Sequence, residues 1–235
     1  MQLVETFSFG SRVAGKLTGN LALGTTLQHT IFICSRVFLP PLLLAISFQI
    51  ESGETLENFM FLSAVMTGLG LVLSILILIR LNSCQRNFQI IFFYSRDYRL
   101  PTCIWKLVVS DNRDIVVVNR DLAPKFGYIR WSKLLASGFA YFFIATSFLL
   151  AFSIALIFPD YRLTISQFSS AFHGIGAGFL ALYIDPMISR SLDVAEDQED
   201  WLANVFSVLA GRICSLGLAF FIFFLSYCYI NGLPY

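Results

Sequence analysis

Histidine is nearly missing from this chain, with two in 235 residues, and charge of either sign is scarce at 13%. Soluble proteins carry roughly a quarter charged residues. A chain with about half that share excludes a secreted soluble domain, a nucleic-acid binder and a disordered tail. The five cysteines, Cys34, Cys84, Cys103, Cys214 and Cys228, form no Cys-x-x-Cys pair and no ligand spacing with histidine. They read as small apolar fillers, so neither a metal centre nor a redox cofactor is expected. Enzyme signatures are missing as well: there is no HExxH, no GxSxG, no P-loop and no pair of carboxylates within one apolar run. The opening MQLVETFSFGSR has neither a basic n-region nor a small-residue cleavage site, so no cleavable signal is expected.

What the chain has is apolar mass: 57% hydrophobic residues, 25 of them Phe. That composition implies an all-α polytopic membrane protein. The length allows about five or six spans of roughly 20 residues each. It is too short for most transporters built from two six-helix halves. Five runs qualify, at 21–50, 59–79, 134–158, 165–188 and 205–230. The first would reach about 45 Å as one helix, against a hydrocarbon core of about 30 Å. It must tilt or begin outside the core, and Pro40-Pro41 should kink or end it. Residues 3–15 are amphipathic and too short to span; a partial helix packed in the bundle is the favoured reading. The whole of 1–235 reads as a single transmembrane domain.

Charge placement orients it. Arg80, Arg86, Arg96, Arg99, Lys106, Arg113, Arg120, Lys125, Arg130 and Lys133 crowd into residues 80–133, and Arg12 and Lys16 fall on the same side. Opposite them lie Glu51, Glu54, Glu57, Asp160 and the lone base Arg162. The positive-inside rule makes 80–133 cytoplasmic and the C-terminus external. The acidic run around Asp197–Asp200 is cytoplasmic in this arrangement, where acids weigh little. Within the basic loop, QIIFFYSRDYRLPTCIWKLVV interleaves aromatics with bases, which suits amphipathic helices in the headgroup layer. Those bases attract anionic lipid at about 1 kcal/mol each, or merely enforce topology.

Charged groups inside spans cost roughly 2.5–3.5 kcal/mol on insertion scales and usually face an interior or aqueous cavity. Arg36 and Arg212 stand out on that ground, and His29 and His173 are ionisable groups in the same class. His29 and Arg36, seven residues apart, share a helix face with Thr25 and Phe32. Ser166, Ser169, Ser170 and His173 line another, followed by a Gly174–Gly178 GxxxG frame and by Asp185-Pro186. Together they suggest a polar groove richer in positive than negative charge, suited to an anionic group that Arg grips bidentately. Each also has a plainer reading: the arginines pair with a buried carboxylate or snorkel, His173 is a hydrogen-bonded structural residue, and the glycines pack helices.

The segment ETFSFGSRVAGKLTGNLALGTTLQHTIFICSRVFLPPLL resembles the opening of the Amj family of bacterial lipid II flippases, with a Glu-Thr, an Arg-x-Ala-Gly and a later Ser-Arg in that order. PDYRLTISQFSSAFHGIGAGFLALYIDPMISRSLD resembles the family's next-to-last span, and GRICSLGLAF its last helix. The likeness covers most of the chain and is weakest in the basic loop. It implies that Glu5, Arg12, Arg36, Arg162, Asp185 and Arg212 are family-type polar positions. It further implies a non-enzymatic flippase in the bacterial inner membrane that moves a polyprenyl-diphosphate-linked saccharide for peptidoglycan synthesis. Arg12, Arg36 and Arg212 would hold the diphosphate. His29, Ser166, Ser170 and His173 would face the sugar, and histidine protonation would couple movement to the proton gradient. The expected partners are the lipid-linked substrate, membrane lipids and, in one reading, a second copy of the chain. The alternatives are a flippase for an O-antigen or capsule unit, and a membrane enzyme acting on polyprenyl phosphates.

Overall fold

The computed structural model describes residues 2–95, 97–109, 129–194 and 198–232; 92% of these are helical and none lies in a strand. In chain order the helices are α1 (Gln2–Leu17), α2 (Leu21–Arg36), α3 (Leu39–Glu51), α4 (Leu56–Ile79), α5 (Leu81–Tyr94) and α6 (Leu100–Val109). They continue as α7 (Trp131–Ile157), α8 (Arg162–Phe179), α9 (Asp185–Val194) and α10 (Gln198–Gly232). Five stretches are long and apolar enough to cross a membrane: Leu21–Glu51, Leu56–Ile79, Trp131–Ile157, Pro159–Ser191 and Asp200–Gly232. The expected fold class holds: five spans and a short N-terminal helix.

Proline explains two interruptions. α2 ends at Arg36, and Pro40 and Pro41 fall in the first turn of α3, where a missing N–H leaves no helical bond unmade. In the fourth span, Pro186 has no N–H to offer the carbonyl four residues back. The turn immediately before it, Leu180–Ile184, widens into a π-helix between α8 and α9. The turns joining α1 to α2 and α3 to α4 each place a glycine at positive φ: Gly19 at 73° and Gly53 at 90°.

The chain clusters into two compact units, Met1–Phe38 with Ser74–Pro124, and Leu39–Leu73 with Lys125–Tyr235. In the first, α1 and α2 form an antiparallel hairpin. The Ser11 hydroxyl donates to the Gly24 carbonyl at 2.9 Å, and a Cβ on Gly24 would stand 2.6 Å from the Ser11 carbonyl oxygen. Only glycine lets the two backbones meet there. α5 packs on another flank of α1. Gly10 admits the Phe88 ring, and Phe7 and Phe88 lie 4.9 Å apart between centroids. Ala14, Leu27, Phe88, Ile91, Phe92 and Cys103 form the core of this unit. Thus α5, one of the amphipathic helices expected in the basic loop, turns its apolar face onto protein. Loop residues 110–128 lie outside the described ones.

The second unit is built around α7, flanked by α8 and α10. A Cβ at Gly176 would come 2.7 Å from the Ala140 carbonyl oxygen, and one at Gly211 would overlap the Ser137 hydroxyl. The sequence frame placed close approach at Gly174 and Gly178. Both instead face open space, and Gly176 between them makes the crossing, half a turn away on the helix. Ile50, Phe59 and Phe152 form one apolar cluster, and Met60, Ala64 and Phe223 another.

Two outcomes follow from this packing. Gly176→Ala should lower the melting temperature in detergent by the equivalent of about 1–3 kcal/mol of overpacking. Gly178→Ala should leave it unchanged or raise it; equal behaviour of the two would contradict the crossing. Burial pushes the Cys84 thiol above its ordinary value, opposed more weakly by a backbone hydrogen bond. Because thiolate is the reactive form, Cys84 should alkylate slowly at neutral pH and accelerate only at higher pH than a free thiol. Gly10→Leu, which displaces Phe88 and Cys84, should speed that reaction in a single-cysteine background.

Candidate functional site

In the first unit, Glu5 and Arg12 stand two turns apart on one face of α1, and are 2% and 1% exposed. Arg36 closes α2, where a cation suits the C-terminal end of the helix dipole. The hairpin brings that end to the start of α1, so Arg36 Nε lies 3.9 Å from Glu5 Oε1. The Arg36 guanidinium also stands 4.4 Å from the centroid of the Phe32 ring, one turn earlier. Nearby hydroxyls are spent on backbone: Ser8 donates to the Glu5 carbonyl at 2.7 Å, and Ser11 to that of Ser8 at 2.7 Å. Gln28, Gln85 and Gln89 are buried in the same unit. His29 is exposed on α2.

The second unit holds Arg212, 1% exposed, with its guanidinium 4.5 Å from the centroid of the Tyr141 ring. Stacking engages the face of the guanidinium, whereas phosphate recognition uses its N–H edge. His173 Nδ1 lies 3.4 Å from Ser147 Oγ, and its ring is 5.2 Å from that of Phe148. Ser166 is half-buried and donates to the Leu163 carbonyl at 2.8 Å; Ser170 is exposed. Arg162 opens α8 half-buried, and Asp185 opens α9 directly after the π-turn. At one end of α7, Arg130 pairs with Asp200 at 2.7 Å, its backbone N–H donates to Ser207 Oγ at 2.8 Å, and Lys133 bonds Asn204.

The structure therefore brings Glu5 and Arg36 together, with Arg12 two turns further along α1, and His173 together with Ser147. It assigns Arg12 and Arg36 to one compact unit and Arg212 to the other. Tyr141, Ser147 and Asn204 escaped the sequence reading, because serine and tyrosine in an apolar run carry no signal of what they face. Gln85 and Gln89 were detectable as an i, i+4 polar pair within the apolar stripe of α5. Among the described residues no group of three or more His, Cys, Asp or Glu is placed to hold a metal.

Five apolar spans, with one arginine buried inside each helical unit, define a multi-pass helical membrane protein. The chain belongs to the Amj family, described as Alternate to MurJ, whose model matches residues 1–232. No curated protein and no solved structure matches the chain significantly.

The Glu5–Arg36 pair has a measurable signature. Glu5→Gln should destabilise the protein by about 1–3 kcal/mol, less than the about 3–5 kcal/mol of a fully sealed pair. The Arg36 side chain keeps 23% exposure, and solvent screens it. In a double-mutant cycle with Arg36→Gln the two losses should fall short of adding up; strict additivity would show no coupling between them.

Proposed function

We propose that this protein is a flippase that moves a polyprenyl-diphosphate-linked saccharide, lipid II in the first instance, across the bacterial cytoplasmic membrane. The observation that carries the reading is the family match along residues 1–232 to the alternate to MurJ. The buried arginines support it. A diphosphate crossing hydrocarbon needs cationic partners already paid for in the fold, and Arg12 and Arg212 are each 1% exposed.

In this reading Arg12 and Arg36 grip the diphosphate from the α1–α2 hairpin, with Glu5 holding Arg36 in place. Arg212, braced by Tyr141, supplies a second cationic station on α10. His173, Ser166 and the α8 face meet the sugar, and the polyprenyl tail stays in lipid. Arg162 and Asp185 stand at the two ends of α8 and its π-turn, and the widened turn lets α9 swing relative to α8 as the headgroup passes. The protein acts as a transporter and not as a catalyst: the proposed steps bind, orient and release the substrate without breaking a bond. The basic loop 80–133 faces the cytoplasm.

Complementation tests this. In cells depleted of their own lipid II flippase, expression of the chain should restore growth and outward exposure of lipid II. Arg12→Ala and Arg212→Ala, checked for membrane abundance, should reduce that exposure at least tenfold. Wild-type exposure from both variants would overturn the arginine assignment, and no rescue by the parent chain would overturn lipid II as the substrate.

A further inference from the structure

The side-chain oxygen of the buried Gln28 has no hydrogen-bond donor among the described residues. The residue is 7% exposed, and that oxygen is sealed from solvent. Such an acceptor costs free energy that the fold does not recover, so a buried one calls for a missing donor. Its position says what the donor accompanies. Gly24, Gln28 and Ser35 form one buried stripe of α2, and Gly24 is where that stripe meets Ser11 of α1. Because the hairpin is antiparallel, Gln28 stands one turn beyond that crossing, level with the turn of α1 that holds Ser8 and next to the turn of Arg12. Two turns further along α2 comes Arg36, paired with Glu5. The Ser8, Ser11 and Ser35 hydroxyls each donate to a backbone carbonyl, so none of these protons is turned to the Gln28 oxygen.

We infer that Gln28 is a specificity-determining residue: it accepts a hydrogen bond from a hydroxyl or amide N–H of the saccharide while the neighbouring arginines hold the diphosphate. The inference rests on the flippase reading. The chemistry separates the two parts of the ligand. An ionised diphosphate presents acceptors only, which suit arginine and not a carbonyl oxygen; a sugar brings O–H and N–H donors. Gln28 thus distinguishes a lipid that carries its saccharide from the bare polyprenyl diphosphate.

The test measures binding of two probes, undecaprenyl diphosphate and lipid II, to the purified full-length chain in nanodiscs. Wild type should prefer lipid II by about tenfold, the scale of one hydrogen bond to an otherwise unpaired group. Gln28→Met, of similar volume without the amide, should narrow that preference to within about twofold. It should leave undecaprenyl diphosphate affinity unchanged and the melting temperature unchanged or higher, since an unpaired polar group has been removed. Gln28→Leu serves as a second variant with the same expectation. A lowered melting temperature with equal weakening of both probes would make Gln28 structural and overturn the inference. So would a wild type that binds both probes alike, as when a water alone occupies the acceptor. Failure of wild type to bind either probe would instead bring down the flippase reading on which the inference rests.

Discussion

A guanidinium shut away from water has to be surrounded closely and given polar or aromatic neighbours, or the chain around it will not stay folded. That demand shapes both compact units. In each unit the buried arginine directly follows a residue at which two helix backbones approach closely, Ser11 before Arg12 and Gly211 before Arg212. Gly24 permits that approach in the α1–α2 hairpin, with the Ser11 hydroxyl bonded across the gap at 2.9 Å. Gly211 and Gly176 do the same on the two sides of α7. In lipid, such close packing and the polar bonds within it replace the hydrophobic effect as the force that joins helices.

Arg36 and Arg212 are accommodated by different chemistry. Arg36 takes a carboxylate, Glu5, at the C-terminal end of α2, where its own 23% exposure softens the cost of its charge while Glu5 is sealed. Arg212 stands in mid-helix, 1% exposed, and takes the π-face of Tyr141. Stacking on the ring occupies the face of the guanidinium and leaves its N–H groups at the edge.

Much of this was legible along the chain. Spans announced themselves through length and lack of charge, and the break after Arg36 followed from Pro40-Pro41, whereas the π-turn before Asp185 was passed over inside a run read as continuous over 165–188. Arg36 and Arg212 were visible because a base in an apolar run is costly wherever it points. Other features were not legible, for a geometric reason. Gly174, Gly176 and Gly178 are chemically identical, and which one meets α7 depends on how α8 is rotated about its axis. His29 shares a helical face with Arg36 in the periodic pattern, yet it is exposed while Arg36 reaches back to Glu5, because a long side chain escapes the direction its Cβ sets. The fate of α5 was hidden for a related reason: an amphipathic helix needs an apolar surface, and its sequence does not say whether lipid or α1 provides it.

The amino-acid sequence by itself determined the medium, the number of spans, the break after Arg36 and the scarcity of charge, because each is a sum or a local rule over neighbouring residues. The tertiary structure decided the rest. That Glu5 belongs to Arg36, Tyr141 to Arg212 and Ser147 to His173, and that the Gln28 oxygen is sealed with no donor among the described residues, depends on residues far apart in the chain. Side chains of that separation meet only after the helices have chosen their crossings, and those crossings are set by the three-dimensional fit of glycines against backbone.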